Sequence, residues 1–230
     1  MREVEGRTAP PQGRTALPPA GAAPPPTGAT PAPTRTAGIG LPASVKSFNA
    51  LAMYAFVVLG VPDGMIGTVW PDLRRGFGAP LGDLGIVLLV GTLGTLASSS
   101  VVGVLLGRVG VRGTVILGGA AGGLGAAGVV VSPVFWAFVL SGMFIGLAAG
   151  LLDGVVNTST ALAGRNRLLN VLHGCYGVGT AIAPLLVTAA VVVGQWRSAY
   201  GVLLAAEAAL VVAWWLAGRR SSAANGAPEA

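Results

Sequence analysis

The feature that most constrains this chain is a series of long apolar segments that begins near residue 47. Six segments follow one another, at 47–70, 84–106, 113–131, 134–158, 169–193 and 199–218. Each is long enough to cross a hydrocarbon layer of about 30 Å as a helix. A lipid-exposed backbone must satisfy its own hydrogen bonds, and the segments lack the alternation of a membrane barrel. The sequence therefore predicts an all-α integral membrane domain of six transmembrane helices.

The composition agrees with this prediction and argues against other classes. Charged residues make up 10% of the chain, against about a quarter in soluble domains. The 37 glycines are an excess, as expected where helices pack closely in lipid. The net charge of +6 is spread between apolar runs, which argues against a nucleic-acid partner. Cys175 is the single cysteine, so we expect no disulfide framework, no metal and no cofactor.

The remaining residues predict two tails. Residues 1–44 hold ten of the 16 prolines, among many Ala, Thr and Gly. Such a segment cannot bury enough apolar surface to offset its ordering entropy. We therefore predict a disordered Pro/Ala-rich cytoplasmic tail at 1–44, a six-helix transmembrane domain at 45–220 and a disordered C-terminal tail at 221–230.

The charges of the loops predict the orientation. With the N-terminus inside, the outer loops hold only Arg74, Arg75 and Arg197, and all other cations are cytoplasmic. This asymmetry favours a multi-pass protein of the plasma membrane with both termini in the cytoplasm. The five tryptophans lie near predicted helix ends and are predicted to be interfacial anchors: Trp70, Trp136, Trp196, Trp214 and Trp215.

Two short patterns indicate an internal repeat. The first segment contains G-V-P-D-G, with Asp63, and the fourth contains G-L-L-D-G, with Asp153, 90 residues later. The same offset brings the third segment close to the sixth. Two units of three crossings have opposite topology, because each crosses an odd number of times. The sequence thus predicts two inverted three-helix repeats, an arrangement found in secondary transporters.

The fourth segment combines a carboxylate with regularly spaced glycines. Asp153 and Asn157 share one side of the predicted helix with these glycines. Such a side is favourable only where another backbone or a ligand comes close. An ionised Asp at the middle of a membrane costs about 2.5–3.5 kcal/mol, so Asp153 is expected to face the bundle interior or a wet cavity and could carry a proton. The four glycines are Gly142, Gly146, Gly150 and Gly154.

Further polar residues are candidates for the same solute and proton pathway. Asn170 and His173 lie one turn apart at the start of the fifth segment, where they could relay protons or bind a polar solute. The alternative is that they only join the fourth and fifth helices by hydrogen bonds. Asp63 of the first segment is a further candidate, and Glu207 of the sixth is a weaker one, because it could pair locally.

The loop between the second and third segments carries a familiar pattern. It reads G-V-L-L-G-R-V-G-V-R and resembles the G-x-x-x-D-R-x-G-R-[RK] signature of the major facilitator superfamily. The chain keeps Gly103, Arg108, Gly110 and Arg112, and it has Gly107 in place of the aspartate. The resemblance implies that this loop helps to lock the inward gate, without the ion pair that the aspartate would make.

A second pattern resembles the fucose-permease-like branch, which contains sugar:proton symporters. It consists of Asp153 with Asn157 four residues later, followed by L-L-N-V-L-H-G-C-Y-G-V-G-T-A-I-A-P. The resemblance implies a role for Asp153 in proton coupling and sugar contact. Members of the superfamily have two six-helix halves with the substrate between them. This chain corresponds to the N-terminal half, so we expect a truncated product, a second half as partner, or a homodimer.

Three classes of function remain open at this point. The first is a transporter or half-transporter that moves a small polar solute, such as a sugar, by proton-coupled alternating access. The second is a truncated or non-transporting membrane protein with an assembly or regulatory role. An intramembrane enzyme is disfavoured, because no G-x-S-G nucleophile motif is present and the one histidine has no serine partner in view.

Overall fold

A computed structural model describes the backbone of residues 45–225 and the side chains of residues 46–219. The described chain is helical, and its five helices are all apolar and long enough to span a membrane. They are α1 (Val45–Phe77), α2 (Leu84–Val131), α3 (Phe135–Leu162), α4 (Asn166–Val192) and α5 (Arg197–Asn225). The predicted tails lie outside the described residues, except for 221–225, where α5 continues.

Three helices end at a glycine with a left-handed backbone. Gly78, Gly164 and Gly194 have φ of 66°, 67° and 76°, a conformation that favours glycine because it has no Cβ. The residue after each glycine donates its N–H to a carbonyl five positions earlier, as Arg165 does to Thr160. This pattern closes the last turn of a helix and reverses the chain within a few residues. The connections from α3 to α4 and from α4 to α5 are therefore short.

α2 includes both of the segments predicted at 84–106 and 113–131. Within its 48 residues Gly110 has φ 69° and ψ −179°, far from helical values, so two helical parts meet there. At 1.5 Å per residue, a straight helix of this length would extend about 70 Å, more than twice a hydrocarbon layer. We refer to residues 84–109 as α2N and to residues 111–131 as α2C.

The contacts of α3 show the direction of each part of α2. As residue numbers increase along α2N, the numbers of the α3 residues that it contacts also increase. Along α2C, the numbers of the contacted α3 residues decrease instead. The parallel contacts are Gly91 with Gly146 and Val102 with Gly154, and the antiparallel contacts are Gly118 with Leu152 and Gly125 with Ile145. The chain therefore reverses its direction along α3 at the Gly110 bend.

α1 packs on α4, and the two helices run parallel. Gly60 lies against the Tyr176 carbonyl, and Gly64 lies against the Thr180 carbonyl. α2C packs on α5 in the antiparallel sense, as the contacts of Gly119 with Val211 and of Gly123 with Leu204 show. Glycines stand at all of these contacts because a side chain would separate the backbones.

Two buried apolar clusters lie at the two ends of the bundle, and each contains one buried tryptophan. Trp70 is 4% exposed and Trp214 is 0% exposed, so the prediction that they are interfacial anchors is wrong. Both helices continue past the predicted ends, α1 to Phe77 and α5 to Asn225. The two rings thus lie well inside their helices, where Trp214 packs edge-on against Phe48 at 6.0 Å between ring centroids.

Candidate functional site

α1 and α4 hold a carboxylate and a phenol together. The Tyr176 hydroxyl donates a hydrogen bond of 2.5 Å to Oδ2 of Asp63. A Cβ at Gly60 or at Gly64 would overlap a backbone carbonyl of α4. The Thr180 hydroxyl donates to the Gly60 carbonyl at 3.1 Å, which fixes the register of the two helices. The glycines of G-V-P-D-G thereby bring Asp63 within reach of Tyr176.

Asp153 takes its partner from its own helix. The Asn157 amide donates to Oδ1 of Asp153 at 2.9 Å, one turn along α3. The side chain of Asp153 is exposed. Its carboxylate lies within electrostatic range of the Tyr176 hydroxyl on α4. Asp153 and Asp63 therefore both interact with Tyr176, one through its charge and one through a hydrogen bond.

The two predicted residues at the start of α4 are also exposed. Asn170 and His173 lie one turn apart, and the His173 ring meets Phe56 of α1 edge-on, with 5.9 Å between ring centroids. Among the described residues, no hydrogen bond joins His173 to Asp153 or Asn157.

Tyr176 is not among the predicted site residues, although the sequence contains a signal for it. Tyr176 follows His173 by three positions, and His173 follows Asn170 by three, so that one side of a helix presents all three. Thr180 extends the same side by one more turn. A row of four hydrogen-bonding side chains on one side of an apolar helix predicts a polar face.

The candidate polar residues of α1, α3 and α4 are considered together from here on. We define the open polar face as Asp63, Asp153, Asn157, Asn170, His173 and Tyr176.

Three of the four regularly spaced glycines of α3 contact α2N. A Cβ at Gly146, Gly150 or Gly154 would overlap atoms of that helix, whereas a Cβ at Gly142 would meet nothing within 4 Å. The Thr95 hydroxyl of α2N donates to the Gly146 carbonyl at 3.1 Å. Gly142 instead lines a cavity.

This cavity has a volume of about 300 Å³ and lies between α1, α2, α3 and α5. Its lining includes Asp63, Thr92, Tyr200 and Glu207. Asp63 and Thr92 are exposed, whereas Tyr200 and Glu207 are buried. The cavity therefore connects the open polar face with a carboxyl group inside the bundle.

The predicted gating loop lies at the bend of α2. Gly103 and Arg108 are exposed, and Gly110 forms the bend. Arg112 donates to the Trp215 carbonyl of α5 at 2.8 Å. Its guanidinium group occupies the space where a Cβ of Gly218 would stand. Arg112 thus ties the bend to the C-terminal part of α5.

A second arginine makes a similar contact at the other end of the bundle. Arg197, at the start of α5, donates to the carbonyls of Val130 at 3.1 Å and Ser132 at 2.8 Å. These carbonyls belong to the end of α2, where a cation also interacts favourably with the helix dipole. The guanidinium group stacks over Trp196 at 4.7 Å from the ring centroid.

Two comparisons with known proteins bear on this arrangement. The model of the family described as Major Facilitator Superfamily matches residues 52–230. Among curated proteins, the chain is similar to Bypass of stop codon protein 6 of Saccharomyces cerevisiae, with 29% identity over 158 residues. The matched region covers 66% of this chain but spans only 31% of the yeast protein.

Proposed function

We propose that this chain, which belongs to the major facilitator superfamily, moves a small polar solute across a membrane by proton-coupled alternating access. Family membership and five apolar helices support a multi-pass membrane transporter. We also propose a second six-helix unit and a location in the plasma membrane. The proposed proton and the proposed class of solute depend on the open polar face.

One observation supports the proposal most strongly: two exposed carboxylates lie deep within apolar helices. Asp63 and Asp153 are each more than two turns from either end of their helix. Charged groups at such depth are expensive in lipid, so they face a water-filled space or another protein unit. A polar path at membrane depth is what a transport pathway requires.

We further propose that a second six-helix unit covers the open polar face. Such a unit is either a separate half or a second copy of this chain, and the solute binds between the two. In transporters of this family type, the substrate site lies near the bilayer midplane at the interface of the repeated units. The carboxylates, amides, imidazole and phenol of the face suit a hydroxyl-rich solute, because they offer both donors and acceptors.

The proposed transport unit crosses the membrane six times. The reversal of direction at Gly110 supports this count, because it divides α2 into two antiparallel parts of 26 and 21 residues (84–109 and 111–131). Each part is long enough to span a hydrocarbon layer of about 30 Å. Six crossings also place both chain ends on the same side.

The inverted repeat remains part of the proposal, and two pairs of equivalent contacts support it. Thr95 and Thr180, 85 positions apart, each donate to a glycine carbonyl of the parallel neighbouring helix. Arg112 and Arg197, also 85 positions apart, each donate to a carbonyl of the partner helix in the antiparallel α2C–α5 pair. An offset of 85 differs from the 90 that separates Asp63 and Asp153. The two aspartates thus stand about one turn out of register.

The distribution of charge supports a cytoplasmic location of both termini. Among the described side chains, the end that contains the Gly110 bend carries cations and no acidic residue. Its cations are Lys46, Arg108, Arg112, Arg165, Arg167 and Arg219. The opposite end carries Arg74, Arg75 and Arg197 together with Asp72 and Asp83. Positive charge is enriched on cytoplasmic loops.

We assign a gating role to the loop formed by Gly103, Arg108, Gly110 and Arg112. Arg112 joins the bend to α5, while Arg108 and Gly103 are exposed next to it. These exposed groups are available to the second unit when the cytoplasmic side closes. The resemblance to the fucose-permease-like branch supports a sugar as solute and Asp153 as a proton carrier.

A reconstitution experiment tests the proposed function. The full chain is placed in liposomes, and counterflow of a radiolabelled mixture of monosaccharides is measured, with protein-free liposomes as the control. We expect counterflow above the control, and native mass spectrometry is expected to show a dimer. Absence of counterflow from a stable, folded oligomer would instead favour the assembly or regulatory role.

A further inference from the structure

Glu207 is a buried carboxyl group in the middle of α5. It is 3% exposed. Its Oε2 atom has no hydrogen-bond partner among the described residues. Buried polar atoms nearly always have such a partner, and an unpaired one costs free energy. Stability therefore does not explain the presence of a carboxyl group at this position.

The neighbouring helices make room for this carboxyl group. On α2C, a Cβ at Gly122 would overlap the Glu207 carboxyl group, and one at Gly119 would stand 3.6 Å from Oε2. On α3, the small side chain of Ala148 borders the same space. Glycine at position 122 therefore leaves the space that the Glu207 carboxyl group occupies.

The ionisable groups around Glu207 come from two helices only. From α1, the Tyr54 hydroxyl lies within electrostatic range and donates to the Ala206 carbonyl at 2.9 Å, while Asp63 lines the same cavity. From α5 itself, Tyr200 lines the cavity. The described residues of α2 and α3 that line it include no ionisable group. No cationic side chain therefore neutralises Glu207 within the described structure.

We propose that Glu207 binds a proton inside the bundle and exchanges it with the open polar face at Asp63 through the cavity. An ionised carboxylate in apolar surroundings needs a positive partner. A bound proton neutralises its charge and occupies the least space. A metal cation would require several oxygen ligands. The described residues contain no group of three or more His, Cys, Asp or Glu that could hold one. This site is additional to the aspartates of the proposed pathway and does not require transport.

Infrared spectroscopy of the reconstituted full chain tests the site directly. At about pH 7, where exposed Asp and Glu are ionised, we expect a carboxylic-acid C=O band that moves to lower frequency in D₂O. Glu207→Gln should remove this band. Asp63→Asn is the matched control, because it lies in the same cavity and should leave the band in place.

The proposal is overturned if the wild-type band is absent, or if folded Glu207→Gln retains it. Thermal stability that depends on sodium rather than on pH would also contradict it, since a metal cation would then be the partner.

A second variant tests the route while Glu207 stays intact. Leu at Gly142 would extend into the cavity, where a Cβ meets no atom within 4 Å. We expect Gly142→Leu to keep the Glu207 band but to slow its shift in D₂O. An unchanged rate of deuterium exchange would show that protons do not reach Glu207 through this cavity.

Discussion

The α1–α4 pair and the α2N–α3 pair are packed alike but hold their carboxylates differently. In both pairs the helices run parallel, glycines allow backbone contact, and a threonine donates to a glycine carbonyl across the interface. Asp63 of the first pair bonds across the interface to Tyr176. Asp153 of the second pair bonds within its own helix to Asn157. The same packing thus supports two different electrostatic arrangements.

The hydrogen bonds of the two carboxylates therefore respond differently when helices move. If α1 and α4 slide or separate, the Asp63–Tyr176 hydrogen bond breaks. The Oδ2 atom of Asp63 is then free to accept a hydrogen bond from another group. The same motion leaves the Asp153–Asn157 bond unchanged, because both residues move with α3. The hydrogen bond of Asp63 therefore depends on the relative position of two helices, whereas the hydrogen bond of Asp153 does not.

The largest expected effect comes from filling the glycine contacts. Gly60→Leu in the first pair and Gly150→Leu in the second should each lower the free energy of unfolding by about 1–3 kcal/mol or more, because backbones must separate. Gly67→Leu is the matched control on α1, since a Cβ there meets no atom within 4 Å. Thermal unfolding in detergent measures all three. Equal losses for Gly60→Leu and Gly67→Leu would contradict the close contact.

An intermediate effect is expected from removing the two hydrogen bonds of the carboxylates. Tyr176→Phe removes a bond between helices and should lower the free energy of unfolding by about 0.6–1.5 kcal/mol. Asn157→Ala removes a bond within one helix and should change stability by less than about 0.5 kcal/mol. Chemical unfolding of both variants compares them. A larger loss for Asn157→Ala would reverse the distinction between the two pairs.

The smallest effect should be shared by the two threonines. Thr95→Val and Thr180→Val keep the side-chain shape and remove one hydroxyl each, at an expected loss of about 0.6 kcal/mol per variant. Their equality is the informative result, because equivalent positions of a repeat should respond equally. Losses that differ by more than the experimental error would weaken the assignment of a repeat with an offset of 85.

Much of the helical layout could be predicted from the sequence, since long apolar runs and glycine-containing turns determine it locally. The fourth predicted segment began at 134 and the fifth at 169, and α3 and α4 begin at Phe135 and Asn166. The shortness of the break in α2 could not be predicted. The predicted connection covered 107–112, whereas within α2 only Gly110 departs from helical geometry, since glycine adopts a positive φ without a steric cost.

The site was harder to predict, because it depends on which helices become neighbours. Asn157 lies one turn from Asp153, a spacing visible in the sequence. The pairing of Asp63 with Tyr176 depends on the parallel packing of α1 on α4, which periodicity does not encode. The open space at Gly142 likewise could not be distinguished from the contacts of Gly146, because both glycines share one side of α3.

We propose that the open polar face carries the proton that drives transport. This proposal is tested most directly by proton-driven accumulation of labelled monosaccharides in liposomes that contain wild type or Asp153→Asn, reconstituted with the partner unit or as the self-assembled oligomer. We expect a folded Asp153→Asn protein to lose accumulation but to retain solute exchange, because exchange needs no proton cycle. Asp63→Asn is measured in parallel to show which carboxylate is essential. Accumulation at the wild-type level by folded Asp153→Asn would contradict the role of Asp153.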